Sequence, residues 1–134
     1  MSSEVAKRKY ILYADDDPED KENIYECLKD INSEVDMVFV NHGLDALQYL
    51  QDVSNFPCLI LLDINMPVLN GLETLKILRQ SKGLSQIPVI MFSTSSNEKF
   101  VRESLELGAV DYVTKPINFN NLKQVTEQFV ARCD

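Results

Sequence analysis

The length, composition and charge of the chain exclude several classes of protein before any motif is considered. Its 134 residues suffice for one domain with a buried core, and 45% hydrophobic with 25% charged residues is typical of a globular protein rather than a disordered or membrane-spanning one. The net charge of -8 argues against nucleic acid as a partner, because binding to it depends on clustered Lys and Arg that neutralise phosphates.

Five apolar segments rich in β-branched residues alternate with five segments of helical periodicity, which is the pattern of repeated βα units. In chain order, the predicted strands are Tyr10–Ala14, Asp36–Val40, Cys58–Asp63, Pro88–Ser93 and Asp111–Thr114. The third and fourth are continuously apolar, as expected for strands that helices cover on both faces of a parallel sheet.

Each predicted strand is followed by a segment whose apolar residues recur on one helical face. In chain order, these residues are Ile24, Leu28 and Ile31; Leu44, Leu47, Tyr49 and Leu50; Leu72, Leu75 and Leu78; Phe100, Val101 and Leu105; and Leu122, Val125 and Phe129. Because crossovers between parallel strands are almost always right-handed, the economical architecture has helices on both faces of one sheet. We therefore predict a doubly wound, five-stranded α/β domain over residues 1–134, with a core of about 8–132 and no attached effector domain.

Polar residues stand at the carboxyl ends of four predicted strands. They are Asp15, Asp16 and Asp17 after the first strand, Asp63 at the end of the third, Ser93 at the end of the fourth and Lys115 after the fifth. In an open parallel sheet these ends line one edge, and ligands bind in the crevice where the strand order reverses. We therefore expect carboxylate, hydroxyl and ammonium groups to converge at this edge.

These converging groups suit phosphoryl transfer with a divalent cation. Carboxylates, carbonyls and waters form the oxygen site that Mg²⁺ prefers, while an ammonium and a hydroxyl can neutralise a transferring phosphoryl group. One carboxylate can be the nucleophile. The segment DDDPED alone would equally fit a helix start, where acidic residues and proline are favoured, and Asp17 is a candidate for that capping role.

Four motifs resemble those of the receiver domains of two-component response regulators. The motifs ILYADDDP, LILLDINMPVLNGLE, PVIMFSTSS and GAVDYVTKPI occur in the order of that family and together extend over essentially the whole chain. The resemblance is to the chemotaxis-regulator type and to stand-alone, single-domain receivers. It implies a flavodoxin-like fold with strand order 2-1-3-4-5.

The resemblance also implies the acceptor and its cation. Asp63 would accept the phosphoryl group, and Asp15 and Asp16 would form the acidic pair. Together with Asp63 and the backbone carbonyl of Asn65, this pair would bind Mg²⁺.

Further roles are implied around the acceptor. Ser93 and Lys115 would contact the phosphoryl oxygens, and Ser93 and Tyr112 would form the switch that reports phosphorylation. The peptide bond between Lys115 and Pro116 would be cis. Thr94 stands where the family usually has Ala or Gly, so its bulk is expected to tune access to the phosphoryl group and the lifetime of the phosphorylated state.

The partners follow from the same resemblance. A sensor histidine kinase or hybrid kinase would donate the phosphoryl group, and a downstream protein would bind the face made by the fourth helix, the fifth strand and the fifth helix. The chain would catalyse its own phosphorylation and dephosphorylation without being a conventional enzyme. The sequence leaves it undecided whether the chain forms a homodimer. It also leaves two alternative functions: a phosphorelay shuttle and a phosphate-insensitive pseudo-receiver that acts as a docking module.

Other phosphate-handling classes fit the sequence less well. Haloacid-dehalogenase-type phosphatases use similar groups, but their nucleophile comes first in a DxD motif, whereas here the acidic pair precedes Asp63. A flavin-binding flavodoxin needs a hydroxyl- and glycine-rich loop after the first strand, where DDDPED would repel phosphate. Neither GxxxxGK nor GxGxxG occurs, which argues against a nucleotide-binding kinase.

The remaining features predict little further chemistry. Cys27, Cys58 and Cys133 are odd in number and far apart, so we interpret them as small buried residues or inert thiols rather than a disulfide framework or a zinc site. His42, the single histidine, is expected to be a solvated loop residue near a helix start. No apolar run approaches the roughly 20 residues that span a bilayer, and the opening MSSEVAKRKY lacks the apolar core of a signal peptide. We therefore expect a cytoplasmic protein without membrane contact.

Overall fold

The five predicted strands form one parallel sheet in a computed structural model, which describes residues 8–134. The strands are β1 (Tyr10–Ala14), β2 (Asp36–Val40), β3 (Leu59–Leu62), β4 (Val89–Ser93) and β5 (Asp111–Thr114). The helices are α1 (Pro18–Asp30), α2 (Gly43–Asp52), α3 (Gly71–Gln80), α4 (Glu98–Glu106) and α5 (Phe119–Ala131). The strand order is β2-β1-β3-β4-β5, so the predicted fold is confirmed. Only β3 and β4 are shorter than predicted, by one residue at each end of β3 and by Pro88 in β4.

Alternate residues of the central strands face two separate apolar layers. In β1, Leu12 and Ala14 belong to the layer under α2 and α3, whereas Ile11 and Tyr13 belong to the layer under α1 and α5. All five residues of β1 are buried. Helices on both faces therefore explain why the central strands are continuously apolar, as predicted.

Two leucines of the predicted helical stripes are exposed instead of buried. Leu44 in α2 is 40% exposed and Leu105 in α4 is 48% exposed. Smaller residues are buried in the same helices, Ala46 beside the buried Leu50 in α2 and Ser104 in α4. Ser104 tolerates burial because its hydroxyl donates a hydrogen bond to the Phe100 carbonyl at 2.7 Å.

Side-chain caps begin the helices at the edge of the sheet where the strands end. Asp17 accepts from the backbone N–H of Glu19 at 2.9 Å, which confirms its predicted capping role. His42 caps α2 through Nδ1, so it lies at a helix start as expected. Asn70 and Glu73 form a capping box at the start of α3. These caps fix where each loop that follows a strand ends and the next helix begins.

The interpretation of the cysteines was wrong for two of the three. Cys58 and Cys133 form a disulfide with Cα atoms 5.4 Å apart, whereas Cys27 is a buried free thiol. The pair joins the start of β3 to the residues after α5, across a sequence separation of 75. Packing of α5 on the sheet brings the two together, and sequence spacing does not reveal that proximity.

Candidate functional site

Three of the predicted carboxylates meet at the carboxyl edge of the sheet. Ala14 and Leu62 are paired in neighbouring strands, so the residues that follow them, Asp15 and Asp63, emerge side by side. One oxygen from each of Asp15, Asp16 and Asp63 lies within 4.8 Å of the others. Asp15 and Asp63 are buried, and Asp16 is exposed.

This cluster fits a small divalent cation. Oxygen ligands around a Mg²⁺ or Ca²⁺ ion stand at most about 4 to 5 Å from one another, which is the spread of the three carboxylates. Asn65, two residues after Asp63, is exposed at the same rim. The donor set is entirely oxygen, as a hard cation requires.

Lys115 lies against the carboxylates with its ammonium fully engaged. Its side chain is 7% exposed, and Nζ donates to Asp15 Oδ2 at 2.6 Å, Asp20 Oδ2 at 2.8 Å and Asp63 Oδ2 at 2.9 Å. Burial by itself would lower the pKa of Lys115, but the hydrogen bonds to Asp15 and Asp20 outweigh it and raise the pKa above its ordinary value. Lys115 therefore stays protonated, and its positive charge is a fixed feature of the site.

Burial and the positive charge of Lys115 have opposite effects on the pKa of Asp63. Burial raises the pKa of the Asp63 carboxyl above its ordinary value, while the charge of Lys115 and hydrogen bonds from Lys115 and Ser93 oppose the rise. Ser93 is fully buried at the end of β4. The carboxylate that the sequence predicts as acceptor thus has an ammonium and a hydroxyl beside it.

Two residues at the site were not predicted from the sequence. The buried hydroxyl of Tyr13 donates to Asp15 Oδ2, while the backbone N–H of Asp17 donates to Asp15 Oδ1 at 2.9 Å. Burial and the charge of Asp15 raise the pKa of Tyr13 well above its ordinary value, so it stays a donor. Asp20, in the first turn of α1, reaches Lys115. Its one sequence signal is its place in the acidic segment DDDPED, four residues after Asp16.

The loop between Asp63 and α3 passes very close to the acceptor. A Cβ on Gly71 would lie 2.2 Å from the Asp63 carbonyl oxygen, so only glycine lets α3 begin there. Val68 has φ 69°, and the Leu69 N–H bonds the Pro67 carbonyl at 2.7 Å around it. A β-branched residue at positive φ is strained, and such strain is characteristic of functional loops.

The residues predicted as switch and tuning positions lie on the neighbouring loop and strand. The Tyr112 hydroxyl donates to the Ser95 carbonyl at 2.6 Å, and the Ser95 N–H lies 3.3 Å from Ser93 Oγ. A chain of hydrogen bonds thus connects β5 with Ser93. Thr94, between these residues, has an exposed side chain.

The predicted cis bond before Pro116 is not present. Residues 8–134 contain no cis peptide bond, so the bond between Lys115 and Pro116 is trans. The trans form is intrinsically the more stable one, by about 0.5 to 1 kcal/mol before proline. Lys115 reaches all three of its carboxylate partners with this bond in the trans form.

Comparison with known proteins agrees with this geometry. Residues 11–127 match the family model of the response regulator receiver domain. Response regulator Rcp1 of Synechocystis sp. is 34% identical, over 95% of this chain and 90% of that protein. The two-component response regulator-like APRR3 of Arabidopsis thaliana is 32% identical over 92% of this chain, which spans 24% of that longer protein.

Solved structures give the same result. The Mn²⁺-bound form of response regulator Rcp1 has a TM-score of 0.81 at 34% identity, with 90% of this chain and 91% of that chain covered. The phosphorylated cyanobacterial phytochrome response regulator RcpA has a TM-score of 0.83 at 32% identity, with 91% of each chain covered. The chain therefore belongs to the response regulator receiver family of two-component signalling, which is not a conventional enzyme family. None of the helices within residues 8–134 has the length and apolar character needed to cross a bilayer.

Proposed function

We propose that Asp63 is the phosphoryl acceptor and that Asp15, Asp16 and Asp63, with the Asn65 carbonyl, bind Mg²⁺. The observation that carries the proposal is the pair of contacts that Asp63 makes. It is one of the three clustered carboxylates that fit a cation, and its Oδ2 accepts a hydrogen bond from the Lys115 ammonium at 2.9 Å. The Mn²⁺-bound Rcp1 structure supports a divalent cation here.

Each residue has a defined task in the transfer. A carboxylate oxygen of Asp63 attacks the phosphorus, and the bond between phosphorus and the donor atom breaks with its electron pair leaving on the donor. Lys115 supplies a fixed positive charge, and the Ser93 hydroxyl donates to a phosphoryl oxygen. Bound Mg²⁺ would supply Lewis acidity that offsets the charge of the carboxylates and of the phosphoryl group. Tyr13 holds Asp15 in place for this purpose.

The hydrogen bonds beyond Ser93 support a switch. When Ser93 turns toward a phosphoryl oxygen, the contact between its Oγ and the Ser95 N–H changes, and Ser95 in turn holds Tyr112. The face of α4, β5 and α5 therefore responds to phosphorylation and binds a downstream protein. Leu105 on α4 and Phe119 on α5 are each 48% exposed, which suits a protein contact.

The phosphoryl donor we infer is a histidine kinase or hybrid kinase in the cytoplasm. The chain's own histidine does not suit this role, because His42 Nδ1 caps α2 and its Nε2 lies 3.6 Å from the Asp45 carboxylate, whose charge disfavours a phosphoryl group there. Asp63, Ser93 and Lys115 are in contact with or directly beside one another, which favours an active receiver over a phosphate-insensitive docking module. We further propose that the chain acts by protein contact.

Labelling by acetyl phosphate tests the acceptor. With Mg²⁺ we expect a single phosphoryl group, assigned to Asp63 by mass spectrometry, and no labelling with EDTA or in Asp63→Asn. Asp30→Asn is the matched control, because Asp30 pairs with Lys123 away from the site and its loss should leave labelling unchanged. Equal labelling of Asp63→Asn, or labelling that EDTA does not reduce, would contradict the proposal.

A further inference from the structure

Asp20 is the acceptor for Lys115 that lies outside the carboxylate cluster. Its Oδ2 is 2.8 Å from Lys115 Nζ, and its side chain is 31% exposed. The other two acceptors, Asp15 and Asp63, both belong to the cluster that fits a cation. A cation bound at the cluster would therefore share the charges of Asp15 and Asp63 but leave the charge of Asp20 to Lys115.

The three contacts use the whole donor capacity of the ammonium. A lysine ammonium has three N–H donors, and Lys115 has one carboxylate partner for each. Once the cation is bound, Asp15 and Asp63 would divide their charge between it and Lys115. Once Asp63 carries a phosphoryl group, it loses its carboxylate charge, and Lys115 is free to donate to a phosphoryl oxygen instead.

We propose that Asp20 is a positioning residue, which holds the Lys115 ammonium beside Asp63 while the charges of the other two acceptors change. The inference rests on the proposed function of Asp63. Asp20 acts through Lys115 and touches neither the acceptor carboxylate nor the cation cluster.

A purely structural role for Asp20 makes different predictions. Asp20 stands in the first turn of α1, where any carboxylate stabilises the helix through the dipole. Glu19 occupies the same turn, is exposed, and forms no ion pair with another residue of 8–134. Glu19→Gln therefore removes the same helix-dipole interaction without touching Lys115, and it is the matched control for Asp20→Asn.

Rates of labelling by acetyl phosphate at saturating Mg²⁺ provide the first test. We expect Asp20→Asn to slow labelling of Asp63 about three- to tenfold, through loss of one charge-assisted hydrogen bond, and Glu19→Gln to stay within about twofold of wild type. Asp20→Glu keeps the charge and should recover part of the rate. In a Lys115→Met background, Asp20→Asn should slow labelling no further, because the residue acts through Lys115.

The ammonium itself provides a second test that needs no phosphorylation. Three hydrogen bonds and burial slow proton exchange at Lys115 Nζ, so its ¹⁵N signal should be observable in metal-free wild type and in Glu19→Gln, but lost or broadened in Asp20→Asn. If acetyl phosphate does not phosphorylate the wild-type protein, only the proposed function is refuted, because the ammonium signal still tests Asp20. The inference is overturned by an unchanged rate in Asp20→Asn, by an equal loss of rate in the Lys115→Met background, or by an ammonium signal as sharp as in wild type.

Discussion

Asp16 is the exposed carboxylate of the cluster and, unlike Asp15 and Asp63, makes no hydrogen bond to Lys115. Two unit charges 4.8 Å apart repel by about 0.9 kcal/mol in a water-like dielectric, and by more where the dielectric is lower. Asp16 faces two such neighbours, and the Lys115 charge offsets part of the repulsion. Asp16→Asn should therefore stabilise the metal-free protein by about 1 kcal/mol, which corresponds to a rise of roughly 3 to 4 °C in Tm for a chain of this length.

The same substitution should weaken stabilisation by Mg²⁺. A ligand at a hundredfold excess over its Kd stabilises the folded state by about 2.7 kcal/mol, and the mutant should gain less at the same concentration because one ligand has lost its charge. Thermal melts of both proteins with EDTA and with Mg²⁺ measure the two effects. Glu19→Gln is the control, since it removes an exposed acid of the adjoining helix and should not alter the response to Mg²⁺.

A helix-start role for Asp16 would give the opposite signs. Loss of a favourable charge near the start of α1 costs about 0.3 to 1 kcal/mol with no dependence on metal. A lower Tm of metal-free Asp16→Asn, together with undiminished stabilisation by Mg²⁺, would therefore refute the assignment of Asp16 as a cation ligand.

Two further predictions concern stability. Tyr13 and Lys115 have raised pKa values, so above about pH 10 the folded protein keeps protons that the unfolded chain loses. The free energy of unfolding should therefore fall as the pH rises above about 10, and Tyr13→Phe should flatten the curve of unfolding free energy against pH. A curve as steep as that of wild type would contradict this. Reduction of the bond between Cys58 and Cys133, or Cys133→Ser, should lower the free energy of unfolding by about 4 kcal/mol, as expected for closure of a loop of 75 residues. Cys27→Ser keeps this disulfide and should lose the same stability as wild type on reduction, whereas Cys133→Ser should not respond to reductant. Identical denaturant midpoints with and without reductant would exclude a stabilising disulfide.

Local patterns in the sequence determined the fold and most of the site. Alternation of apolar β-branched segments with helical stripes depends on neighbours in the chain, so the order of five strands and five helices follows from it. Parallel strands bring their carboxyl ends to one edge, and this sufficed to predict that Asp15, Asp63, Ser93 and Lys115 converge. The helical stripes were less informative at Leu44 and Leu105, because closeness to the sheet, and not hydrophobicity alone, selects the buried side of a helix.

Only the tertiary structure decided the contacts between residues far apart in the chain. Asp20 reaches Lys115 across a sequence separation of 95, and Cys58 meets Cys133 across 75. The trans bond before Pro116 likewise becomes known only from the folded chain. The physical reason is common to these features: periodicity states which side of an element is buried, but the position and direction of one side chain at the end of an element depend on how the neighbouring elements pack.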